Sequence, residues 1–179
     1  MMLASLLTAG LTLPVYAAER LQLIEQQIEA GLIYNFLKYT QWPAERTARA
    51  DAPIAVCLFG GDPFSGHLQP MAGRTVNQQT IDVRSVTRAA DIAGCSLLFI
   101  HADQKQNWPE LQKILAGKSV LTVSDFQGFA VSGGMIEFTQ LDNRIGVLIN
   151  TEAVMAAHLD VQDRLLKLAR SVPPAAPGR

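Results

Sequence analysis

Ile54 to Gly60 reads IAVCLFG, and this stretch decides the fold. An almost unbroken apolar run of that kind suits a β-strand covered on both faces. Cys95 to Ile100, CSLLFI, reads the same way. Thr80 to Val86, TIDVRSV, alternates instead. Ile81 and Val83 point one way and Thr80, Asp82 and Arg84 the other, the pattern of an edge strand. Ser119 to Val123 is a fourth strand. Short helices lie between the strands. One has Asp62 as N-cap and Pro63 at its first position. A second falls around Ala89 to Ala93. The third, Trp108 to Ala116, packs through Leu111, Ile114 and Leu115 and is ended by Gly117. Alternating strands and helices predict an α/β three-layer sandwich with a mostly parallel sheet. Right-handed crossovers and one edge-like strand favour the order 2-1-3-4.

Downstream, Gly133 to Asn150 reads GGMIEFTQLDNRIGVLIN, a C-terminal β-hairpin that extends the far side of the sheet. Asp142-Asn143 serves as its two-residue turn, since Asn and Asp tolerate positive φ. The strands then pair Phe138 with Val147 and Ile136 with Ile149, with all four side chains on one face. Asn150-Thr151 caps the next helix. Two helices close the chain, near Thr151 to His158 and Val161 to Ser171. Asp160 caps the second, which packs through Leu165, Leu166 and Leu168. Upstream, Glu19 to Thr40 is an amphipathic helix with Leu21, Ile24, Ile28, Leu32 and Phe36 at helical spacing. Trp42-Pro43 stops it, and a polar stretch, Ala44 to Ala52, leads to the sheet.

Residues 1–17 carry no charged side chain. Leu3 to Leu13 form a short apolar run, and Val15-Tyr16-Ala17 suits a signal peptidase, which puts cleavage after Ala17 and the mature protein in an exported compartment. Residues 18–172 then make one domain, expected to bury roughly 70% of its unfolded surface. Residues 173–179, Pro-Pro-Ala-Ala-Pro-Gly-Arg, read as a flexible tail. A net charge of −1 offers no basic footprint for nucleic acid. Cys57 and Cys95 are the two cysteines. After export a bridge between them is favoured, and the alternative is a pair of buried free thiols in adjacent strands.

Candidate chemistry sits where the strands end. Asp62, His101 and Asp125 could line a ligand crevice there, and the Gly60-Gly61-Asp62-Pro63 turn could face an anion. The turn lacks phosphate-loop spacing, and a tight turn with a capping Asp is the favoured reading. His101 with Asp103 or Asp125 could form an acid–base pair, but no nucleophile motif accompanies it. His67 and His158 have no metal-ligand spacing, so neither a metal nor a cofactor is expected. Arg144 could pair with Asp142. No catalytic residue and no enzyme emerge.

Two separated stretches carry a family likeness. Ala30 to Pro43, AGLIYNFLKYTQWP, resembles the amino-terminal motif of the YfiR/HmsC family of periplasmic proteins, and Leu121 to Asn150 resembles its LTVSD and GGMI…NRI…IN block. Leu165 to Ala169, LLKLA, and Ala93 to Ile100, AGCSLLFI, match in the same order. The resemblance implies a non-enzymatic repressor that binds the periplasmic sensor region of an inner-membrane diguanylate cyclase, lowering cyclic-di-GMP and biofilm formation. It also implies sequestration by an outer-membrane OmpA-like lipoprotein, and the chain could form a homodimer. Cys57 and Cys95 stand where that family carries a disulfide, whereas a second cysteine pair of some members is absent. His158 stands where many members have Gly. Exposed aromatic residues would make the partner contacts, and Tyr34, Tyr39, Trp42, Phe126 and Phe129 are the candidates, with the hydrophobic core as the competing role for each. An alternative is a small-ligand-binding module using the Asp62, His101 and Asp125 crevice; a hydrolase using His101 ranks last.

Overall fold

A computed structural model describes residues 13–44, 52–141 and 144–171. The expected leader through residue 12, most of the polar stretch at 45–51, the expected turn at Asp142-Asn143 and the chain from residue 172 on, with the expected tail, lie outside the described residues. Helix α1 runs from Leu13 to Tyr39, with Pro14 in the first turn where its missing N–H costs nothing. The expected processing point after Ala17 therefore falls within α1. The chain then turns into β1 (Thr40–Gln41), which pairs antiparallel with β9 (Asp160–Val161).

The main sheet has eight strands. In chain order they are β2 (Ile54–Phe59), β3 (Thr75–Val76), β4 (Gln79–Val86), β5 (Leu97–Ile100), β6 (Leu121–Ser124), β7 (Ile136–Leu141), β8 (Arg144–Ile149) and β10 (Arg170–Ser171). Their spatial order is β10-β8-β7-β6-β5-β2-β4-β3. The segment β4-β2-β5-β6 is the expected 2-1-3-4 arrangement, parallel throughout. The hairpin β7–β8 extends it beyond β6 with Phe138 opposite Val147 and Ile136 opposite Ile149, the expected register. Two-residue strands β3 and β10 finish the edges.

Every residue of β2, β5 and β6 is buried, while β4 alternates into solvent near the edge. The period of two divides these side chains between two apolar clusters. On one face Val56, Leu58, Phe99, Val123 and Phe138 pack with Ile33, Phe36 and Leu37 of α1. On the other, Cys57, Phe59, Leu98 and Ile100 pack with Trp108 and Leu111 of α2 (Trp108–Leu115) and with Phe126 and Phe129. Two such faces make the three layers, and each fully buried large side chain contributes about 1.5–3 kcal/mol. Cys57 and Cys95 are joined in a disulfide in the second cluster.

Several local expectations give way. The buried side of α1 is Ala30, Ile33, Phe36 and Leu37, whereas Leu21, Ile24 and Ile28, read as its packing face, are 63%, 53% and 49% exposed. After Asp62 the chain makes turns and a short 3-10 helix at Gln69–Met71 in place of an α-helix. The segment Ala89–Gly94 is likewise 3-10. The final helices are α3 (Thr151–Ala156) and α4 (Asp163–Leu168), both shorter than expected. Asn150 caps α3, its side-chain oxygen accepting from Ala153 N. Asp160 does not cap α4, because its backbone is committed to β9 opposite Gln41; Gln162 holds the cap position. His158, just past α3, has φ +56, the left-handed conformation that glycine adopts at helix ends without strain.

Candidate functional site

Strands β2, β5 and β6 end in register, with Phe59 beside Ile100 and Ile100 beside Ser124. Gly60, His101 and Asp125 therefore emerge together at the carboxyl edge of the sheet. Gly60 has φ +100, and a Cβ there would strike the Gln104 side chain, so the close approach of these two loops requires glycine. His101 Nδ1 accepts from Asp103 N at 3.2 Å. That bond leaves the ring proton on Nε2, which faces Asp125 Oδ2 at 3.8 Å. His101 and Asp125 are thus brought together as expected. Asp62 is placed differently: its two carboxylate oxygens accept from Phe64 N and Gly66 N at 2.8 and 2.9 Å. It closes its own turn, the plainer of its two sequence readings.

Beyond Asp125 opens a cleft of about 410 Å³. Glu25 and Glu29 of α1 form one wall, Asp125 and Gln127 another, and Phe138, Gln140 and Ile145 of the hairpin a third. Glu137, also at this cleft, is 2% exposed. Its two oxygens accept from Gly128 N and Ala130 N at 3.0 and 2.9 Å, which pins the loop after β6 to the sheet. The other three carboxylates set the electrostatics. Burial, then the charges of Asp125 and Glu25, push the Glu29 carboxyl from 4.5 up to about 7. Burial also raises Asp125, with the facing His101 pulling it back. One Asp125 oxygen, Oδ1, is buried without a hydrogen-bond partner. A concavity that strains its own carboxylates favours a cation. Among the described residues no group of three or more His, Cys, Asp or Glu is placed to hold a metal ion.

The aromatic candidates separate into two groups. Tyr34, Tyr39 and Trp42 lie half-buried against the α1 side of the core. Trp42 Nε1 donates to Ser96 O at 3.3 Å, and the Tyr39 hydroxyl is hydrogen-bonded to Arg164, which lowers its pKa. Phe126 and Phe129 are 5% and 0% exposed. They pack on each other, and Phe129 packs on Trp108, so neither ring presents appreciable area to a partner in this conformation. Glu25 and Glu29 were not singled out from the sequence. Their signal was present: like charges four apart on a helix repel, an arrangement that calls for a reason. Among the described residues no helix is long and apolar enough to cross a membrane.

A family model described as YfiR/HmsC-like (DUF4154) matches residues 26–170. No curated protein matches the sequence. Among solved structures, an ABC domain from Streptococcus pneumonia in complex with L-Trp is similar with TM-score 0.47 and 9% identity. That match covers 66% of this chain and 55% of the other, so the chain spans little more than half of that protein. Overlap of that degree transfers neither a ligand nor a role.

Proposed function

The chain belongs to the YfiR/HmsC-like family, and from that premise we propose that it binds and inhibits an inner-membrane diguanylate cyclase through the cyclase's periplasmic sensor region. Inhibition lowers cyclic-di-GMP and biofilm formation. Members of this family are periplasmic and regulatory rather than catalytic, and the match over nearly the whole described chain is the observation that carries the reading. The Cys57–Cys95 bridge agrees with it, because disulfides persist in oxidising compartments. The leader supplies the export route. An outer-membrane OmpA-like lipoprotein, sequestering the repressor, is the proposed releasing partner, and a homodimer the proposed assembly.

A repressor of this kind works only by binding the inactive sensor more tightly than the active one. Tyr34, Tyr39 and Trp42, which keep part of their rings at the surface, remain the proposed aromatic contacts. Deleting the gene is expected to raise cyclic-di-GMP and biofilm mass, and the purified protein to retain a cyclase periplasmic domain. Unchanged nucleotide levels in the deletion strain would overturn the reading. The acidic cleft favours a second reading, a module that binds a small cationic ligand. A melting temperature that rises with an added organic amine, together with an undisturbed cyclic-di-GMP level on deletion, would put that reading first.

A further inference from the structure

Two features lie side by side on the amino-terminal half of α1. Leu21, Ile24 and Ile28 follow one another at three- and four-residue spacing, so they form one stripe along the helix. All three are about half exposed or more, at 63%, 53% and 49%. Glu25 and Glu29 form the adjacent stripe and turn into the cleft, where they meet Asp125. A contiguous apolar patch bordered by charge is the usual form of an interaction site.

The charge decides between occupants. An anionic membrane surface would be repelled by the three carboxylates. A second copy, paired on this stripe about a two-fold axis, would bring both rows of Glu25 and Glu29 to one seam. A cation entering the cleft would instead stabilise the ionised carboxylates there.

We propose that the Leu21, Ile24 and Ile28 stripe and the adjoining Glu25, Glu29 and Asp125 cleft form one docking surface for a cationic amphipathic helix of the cyclase's periplasmic region. The partner's apolar face covers the stripe, and a Lys or Arg from its flank enters the cleft. The proposal rests on the regulatory reading above and adds a contact surface to it. The raised pKa of Glu29 agrees with a carboxylate kept without a counter-charge until the partner arrives.

The test is titration calorimetry of the full mature protein against the purified periplasmic domain of an inner-membrane diguanylate cyclase from the same organism. Ile24→Ser with Ile28→Ser, and separately Glu25→Gln with Glu29→Gln, are each expected to weaken binding at least about tenfold. Wild-type affinity is expected to fall several-fold between about 50 mM and about 500 mM salt, as charge pairing is screened. Melting curves establish that each variant is folded, and Leu21→Ser replaces any that is not. Wild-type binding that survives both double substitutions overturns the docking surface and leaves the regulatory reading standing. A wild-type protein that binds no such domain removes both. Self-association abolished by Ile24→Ser would assign the stripe to a second copy and overturn the proposal.

Discussion

The loop from Asp125 to Gly134 and the amino-terminal half of α1 both contribute walls to the same cleft, yet they are built in opposite ways. The loop is tied down along its length. Glu137 accepts from Gly128 N and Ala130 N, and Asn150 Nδ2 donates to Ala130 O at 2.8 Å. Ser132 O accepts from Trp108 Nε1 at 3.2 Å and Gln112 Nε2 at 2.7 Å. Its two phenylalanines are buried. The α1 half, by contrast, leaves Leu21, Leu23, Ile24 and Ile28 in solvent, and a bond from Ser65 Oγ to Gln26 Oε1 at 2.7 Å ties its side to the body. Phe126, Phe129 and Ala130 of the loop serve the fold and only Val131 stands out, at 74% exposed, whereas all four of these apolar side chains of α1 lie outside the apolar clusters of the described residues. Rigidity on one wall and bare surface on the other fit a preformed edge against which a partner is gripped.

Substitutions can break this contrast, and the largest effects belong to the tied side. Reducing the disulfide, or replacing Cys57 and Cys95 by Ala, removes the closure of a loop with sequence separation 38. The expected loss is about 4 kcal/mol, read as a drop in the urea midpoint. An unchanged midpoint would mean that the α2 face holds itself together by packing alone. Next comes Glu137→Ala, which strands one buried and one part-buried N–H group and frees the loop from the sheet. It is expected to cost about 3 kcal/mol by the same measurement. Glu137→Gln, which keeps one acceptor, should cost less than Glu137→Ala, and equal losses would show that the charge rather than the pair of bonds matters.

A gain of about 1 kcal/mol is expected from His158→Gly, because a β-carbon in the left-handed region carries strain that glycine lacks. A rise in melting temperature checks it. A fall would mean that the imidazole makes a contact that outweighs the backbone strain.

The cleft itself should titrate. With its native value at about 7 against 4.5 unfolded, Glu29 binds more protons in the folded state between those limits. Its contribution to stability is therefore fully present below about pH 4.5 and is lost as pH rises through about 7. Solvent screening at a partly exposed carboxyl reduces the effect to about 1 kcal/mol. The melting temperature should fall from about pH 5 to about pH 8, and less steeply in Glu29→Gln. Identical profiles for the two proteins would remove Glu29 as the titrating group.

What the sequence disclosed follows from how local each signal is. The strand order, the Ile136–Ile149 register and the Asn150 cap rest on period-two patterning and on neighbouring residues, and the structure has them all. The pairing of Cys57 with Cys95 was favoured by the oxidising compartment and by the family resemblance, against a competing reading as two buried free thiols. The cleft was legible in part. His101 and Asp125 end parallel strands and were expected to meet, whereas Glu25 and Glu29 are distant in sequence from Asp125, and no periodicity connects them. Asp62 and Asp160 illustrate another gap: a carboxylate before an apolar run reads as a helix cap, but Asp62 closes turns and Asp160 belongs to β9. On α1, helical spacing showed that an apolar stripe exists without showing what covers it. The core takes only its carboxyl-terminal end, Leu32 and Phe36, together with Ile33 and Leu37.

The smallest expected effect tests that last point most directly. Ile24→Ser on α1 removes a side chain that is 53% exposed and lies outside both apolar clusters. Isoleucine and serine have similar helix propensities, so the helix itself is little affected. The change in unfolding free energy is expected to stay within about 0.5 kcal/mol, the range of an ordinary surface substitution. A chemical-denaturation curve that overlays the wild type would leave the stripe as surface held for something outside the chain. A loss above about 1 kcal/mol would show instead that Ile24 is covered within the folded protein. The two walls of the cleft would then be alike in construction, and a docked helix would have no apolar stripe to cover.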